Sequence, residues 1–84
     1  MPSANNNRRT MIKIDFGSEE IAAKWIDDLS KFSPRGVIDK TVVLVGPVLE
    51  IIVTTAADMA LHIYGSFKDH LPWQYQGRCQ CIPV

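Results

Sequence analysis

Two thiols one residue apart, Cys79 and Cys81, are the only cysteines of this 84-residue chain. A Cys-x-Cys pair makes a poor disulfide, because closing so small a ring strains the bridge. It also falls short of a structural zinc site, which needs four ligands. His70 is a candidate third ligand, and His62 or Asp69 a fourth. Zinc held there would stabilise a small fold directly. The default for two unpaired thiols is the reduced state kept in the cytosol. We therefore expect a cytoplasmic protein with no metal and no other cofactor. Zinc binding through His62, His70, Cys79 and Cys81 is the alternative.

Asp58, His62 and Ser66 recur every four residues. An Asp can orient and charge a His, and a His can activate a Ser. A solvated helix face, however, offers no water-excluding pocket and no oxyanion hole. No catalytic residue is expected, and the chain reads as non-enzymatic. Glu50 interrupts the apolar run VVLVGPVLEIIV. On a covered sheet face its carboxylate needs a cation: Arg78, Lys40 or one from another subunit. At a solvated edge it would instead discourage strand-to-strand aggregation. Trp73, Tyr75 and Arg78 are of the types that dominate binding hot spots. They could also stack on single-stranded bases, but residues 72–84 carry no other Lys or Arg. Trp73 could equally cap the core.

These residues sit in a chain long enough for one small domain. A chain of this size buries only about 60–65% of its unfolded surface and is marginal without a partner, a metal or self-association. Apolar residues make up 46% of it, and nine basic residues balance nine acidic ones. That balance provides no global field to hold nucleic acid or an anionic membrane. The start, MPSANNNRRT, lacks the apolar core of a secretory signal. Residues 1–9 are expected to be a flexible arm, with residues 10–84 forming the domain.

The elements follow from periodicity. MIKIDF, residues 11–16, alternates as a half-buried strand. Ser18 is a good N-cap, with Glu19 and Glu20 in the favoured first turn. Ile21, Ala22, Trp25, Ile26, Leu29 and Phe32 then recur at helical spacing. SPRG, residues 33–36, ends that helix. Residues 41–70 admit two readings. One helix over residues 47–70 would be about 36 Å long, too long for a compact chain of this size. The preferred reading is a hairpin turning at Gly46-Pro47, built from β-branched strands. A helix over residues 56–70 follows, opened by a Thr55/Asp58 capping box. The apolar stretch 42–61 is long enough for a membrane span, but Pro47, Glu50 and Asp58 argue against one.

The expected fold is α+β: a two-layer β-α-β-β-α sandwich, with two helices on one face of a three-stranded sheet. In the third strand Leu49, Ile51 and Val53 would face one side and Val48, Glu50 and Ile52 the other, and the second strand likewise sets Val43 and Val45 opposite Val42 and Leu44. A sheet covered on one side should alternate apolar with polar, and this one barely does. Its second face should therefore meet another protein or another copy of the chain, unless the tail with Trp73, Tyr75 and Ile82 folds over it. The function expected is a protein-interaction or adaptor module that also self-associates. Its binding residues would be Val48, Glu50, Ile52, Trp73, Tyr75 and Arg78. Element order and size are similar to small accessory domains of microbes and their viruses, a likeness that does not define function.

Overall fold

The computed structural model describes residues 7–84. Strand β1 spans Asn7–Asp15, so it begins before the alternating stretch. Asn7, Arg8 and Arg9 pair with Ala56, Thr55 and Thr54 and belong to the sheet, not to an arm. The rest of the expected arm lies outside the described residues. Here strand length follows the reach of the partner strand, because backbone pairing needs no apolar side chain.

Helix α1, Glu19–Lys31, starts as its residues predict. Ser18 Oγ accepts from the Ile21 N–H at 3.4 Å, and Glu19 and Glu20 occupy the first turn. Phe32 closes the helix, its N–H donating to the Asp28 carbonyl at 2.9 Å. Strands β2 (Val37–Val45) and β3 (Val48–Ala56) form the hairpin, with Val45 opposite Val48. Gly46 takes φ +60°, the left-handed position such a two-residue turn requires. The single long helix is thus excluded. Stretch 42–61 is strand and turn, and no helix among the described residues is long and apolar enough to cross a membrane.

After β3 comes a 3-10 turn, Ala57–Met59, and then helix α2, Ala60–His70. The Thr55/Asp58 capping box does not form. Thr55 is fully buried in β3, and its hydroxyl donates to the Ala56 carbonyl at 2.9 Å. Strand pairing claims this β-branched residue before a helix can use it as a cap. The tail carrying Trp73, Tyr75 and Ile82 contains a four-residue helix α3, Trp73–Gln76, and strand β4, Cys79–Pro83.

The sheet therefore has four strands, not three, in the order β2-β3-β1-β4, with every neighbour antiparallel. β1 and β2 are parallel but separated by β3. This is the split βαβ (ferredoxin-like) topology. The described core lies on one side of the sheet: Ile12 and Ile14 of β1, Leu49, Ile51 and Val53 of β3, Ala22 and Leu29 of α1, Ile63 and Phe67 of α2.

An aromatic chain ties this layer together. Tyr75 meets Phe16 edge-on at 5.0 Å, and Phe16 stacks on Trp25 at 5.8 Å. Trp25 meets His70, which stacks on Phe32 at 3.9 Å, and Phe32 meets Phe67 edge-on at 5.2 Å. His70 Nε2 also lies 2.6 Å from Asp28 Oδ1, joining the end of α2 to α1. Lys40 Nζ donates to the Leu29 carbonyl at 3.0 Å and to the Phe32 carbonyl. It thereby meets the open carbonyls at the end of α1. Gly36 sits at φ +107°, a conformation L side chains rarely adopt, and a Cβ there would lie 2.9 Å from Met59 Cε and displace the tip of that side chain.

Phe67→Ala should lower the urea-unfolding free energy by about 3–5 kcal/mol, the cost of emptying a fully buried aromatic site. Trp73 is 82% exposed, so Trp73→Ala should change it by less than about 0.5 kcal/mol.

Candidate interaction face

The strand register that buries Ile12, Ile14, Leu49 and Ile51 sends the alternate residues to the opposite face, as the two-residue period requires. There the four strands lay out four rows. At one end Arg78, Asp15, Val48 and Val45 lie side by side, the Asp15 N–H donating to the Arg78 carbonyl at 3.2 Å. Next come Gln80, Lys13, Glu50 and Val43, then Ile82, Met11, Ile52 and Thr41. Val84, Arg9, Thr54 and Asp39 form the last row. Neither α1 nor α2 packs on this side, and all fully buried apolar strand residues belong to the other. Val43 remains 41% exposed and Val45 51%.

The tail does not seal this surface. Its strand extends the sheet sideways from β1 and adds Gln80 and Ile82 to the same face. A terminal segment can satisfy its backbone groups at a sheet edge, where β1 would otherwise have none on that side.

Glu50 pairs with neither Arg78 nor Lys40. Its carboxylate lies 3.8 Å from Lys13 Nζ, directly across from it on β1. Lys40 faces the helices and is engaged with the end of α1. Nor does Glu50 sit at an edge, since β3 is an interior strand. With side chains 37% and 23% exposed, the pair contributes at most about 1 kcal/mol. It does allow two charges to stand within an apolar surface. Beside it, a shallow cleft of about 300 Å³ lies between Lys13, Asp15, Val48, Arg78 and Gln80.

Val48, Glu50 and Ile52 thus lie together on this face, and Arg78 stands at its corner. The expected Trp73–Tyr75–Arg78 cluster is divided. Trp73 projects into solvent from α3, while Tyr75 is half-buried against Phe16. The residues that sequence reasoning missed are Met11, Lys13 and Gln80. Lys13 and Met11 were visible as the outward residues of an alternating strand. Gln80 required knowing that β4 exists.

The chemical candidates are not assembled. Among the described residues no group of three His, Cys, Asp or Glu is placed to hold a metal ion. Cys79 and Cys81 share the helix-facing side of β4, where Cys79 Sγ donates to the Tyr75 carbonyl. His70 is occupied by Asp28 and Phe32. Ser66 Oγ donates to the backbone carbonyl of His62, not to its ring, and His62 and Asp58 are exposed. Among the described residues no buried side-chain polar atom lacks a partner. Among the described residues the open face carries no aromatic side chain, the group on which RNA-reading sheets stack bases. Comparison with protein-family models, curated proteins and solved structures finds no match.

Burial raises the pKa of both thiols above the ordinary 9.0. It also raises that of Tyr64, whose hydroxyl donates to the Cys79 carbonyl. Alkylation of Cys79 and Cys81 should therefore show a midpoint above pH 9.0 in the native chain and return toward it in urea. The folded chain keeps these protons after the unfolded chain has lost them. Stability should accordingly fall as the pH rises past the unfolded thiol value, which denaturation across that range would measure.

Proposed function

We propose that this chain is a non-enzymatic protein-interaction module that works through the uncovered sheet face. The observation that carries this reading is the one-sided roof. Both helices of more than one turn pack on a single side, yet Met11, Val43, Val45, Val48, Ile52 and Ile82 lie on the other. Leaving those side chains in water forgoes roughly 25 cal/mol for each Å² of apolar surface that a partner would cover. Apolar patches ringed by charge commonly mark docking surfaces, and this one has Arg9, Asp15, Asp39 and Arg78 around it. The tail contributes through β4 and Arg78, which extend the same face. Trp73 offers a separate exposed anchor. Enzymatic and nucleic-acid readings draw no support from the arrangement of Asp58, His62 and Ser66 or from a face without aromatics.

Val43→Glu and Ile52→Glu place a charge on the open face without touching the core. Each should retain the native circular-dichroism spectrum. Proteins that the tagged wild type withdraws from an extract of its source cells should be missing when either variant is the bait. Recovery of the same proteins by all three baits would refute the reading.

A further inference from the structure

The two halves of the open face carry opposite charge. Among the described residues, the β4–β1 half holds three cationic side chains, Arg9, Lys13 and Arg78, against one carboxylate side chain, Asp15. The β3–β2 half holds Glu50 and Asp39 and no cation. Lys40, the remaining cation of β2, points to the helix side. A face divided in this way is complementary to itself under one symmetry operation. A two-fold axis lying between two such sheets, parallel to their strands, keeps each row in place and exchanges the halves. Every positive half then meets a negative half.

We propose that the occupant of the open face is a second copy of this chain, docked sheet to sheet about that axis. The inference rests on the interaction-module reading above and names its partner. In this arrangement Lys13 meets Glu50 of the second copy while keeping its own Glu50, so four charges alternate in sign around a square. Met11 meets Ile52 of the second copy in the next row, and the reciprocal contact repeats across the axis, as an isologous interface demands. An in-plane axis perpendicular to the strands would instead invert the rows, setting Lys13 and Glu50 at the centre of the face against Met11 and Ile52 and leaving Asp15 opposite Arg9 at its ends. The axis parallel to the strands leaves its unmatched charges, Arg78, Asp15 and Asp39, at the rim. The zero net charge of the chain adds no repulsion between copies.

Area sets the strength. Four strands about 4.8 Å apart and four rows about 6.7 Å apart give a footprint of about 500 Å² per copy. The pair would bury about 1,000 Å², the lower limit for a specific interface. The dimer should be weak, dependent on concentration, and favoured by low salt because its ordering contacts are ionic.

Sedimentation equilibrium over a concentration series, at low and high salt, tests this. The wild type should dimerise, and more strongly at low salt. Lys13→Glu alone should weaken self-association tenfold or more, and so should Glu50→Lys, because each places like charges opposite one another. Mixed in equal amounts, the two variants should form a heterodimer at least as strong as the wild-type dimer. Neither variant retains its own Lys13–Glu50 pair, so improved folding cannot explain such a rescue. If a reversal unfolds the chain, Lys13→Gln and Glu50→Gln supply the loss of association. A wild type that stays monomeric to millimolar concentration would overturn the proposal. So would a dimer indifferent to both reversals, or a mixture no stronger than its parts. A monomeric wild type that still captures another protein, in a manner abolished by Val43→Glu, would overturn self-docking and leave the interaction-module reading standing.

Discussion

The pairing of β1 with β3 at the centre of the sheet decides which side chains are buried and which are offered to solvent. Ile12 faces Ile51 and Ile14 faces Leu49, and those four residues carry the middle of the core. The same register sets Lys13 across from Glu50 and Met11 across from Ile52 on the other side. A slip of one residue would turn the slipped strand over, sending its apolar set to the open face. It would separate Lys13 from Glu50 and bury one of them under the helices without its partner, at a desolvation cost of several kcal/mol. The contrast between a mainly apolar side and a mixed side holds the register in place.

Everything above the sheet serves the first side. Lys40 reaches over to the last carbonyls of α1, and His70 joins α2 to Asp28 and Phe32. The aromatic chain runs from Tyr75 through Phe16, Trp25, His70 and Phe32 to Phe67. It thereby connects the end of β1, both long helices and α3. This accounts for the placement of His70 and Tyr75, two residues whose types suggested ligation and recognition. Their surroundings make them part of the packing. Burial has the same effect on the thiols, since a thiol with a raised pKa is a weaker nucleophile and ligand at neutral pH.

The second side is different in kind. It has no helix, no aromatic residue and no deep cavity among the described residues. It has an apolar centre with charges at its rim and one pair inside it. Small molecules are usually held in enclosed concave sites, and the proposal that this face receives a protein rests instead on its apolar centre and charged rim. The segregation of its charges into two opposite halves adds orientation to that surface. Cationic and anionic residues far apart in sequence, Arg78 and Asp39 for example, acquire this relation only through the strand order.

Local structure was legible from the residues themselves. The alternation of MIKIDF, the Ser18 cap, the helical spacing from Ile21 to Phe32 and the Gly46-Pro47 turn each depend on interactions a few residues apart. The unalternating composition of β2 and β3 likewise placed apolar residues on both faces of their hairpin, whereas β1 and β4 make the open face a mixed one. Sequence could not reveal which strand lies beside which. Arg8 and Arg9 join β1 because β3 is long enough to receive them. Cys79–Pro83 becomes a strand because β1 has an open edge, although that segment has no strand-like pattern of its own. The partner of Glu50 followed from the same pairing and was Lys13, not the cations that sequence suggested. Contacts between neighbours along the chain are set by the chain's own covalent geometry and side-chain preferences. Contacts across the sheet depend on which distant backbone groups satisfy one another, and only the folded molecule decides that.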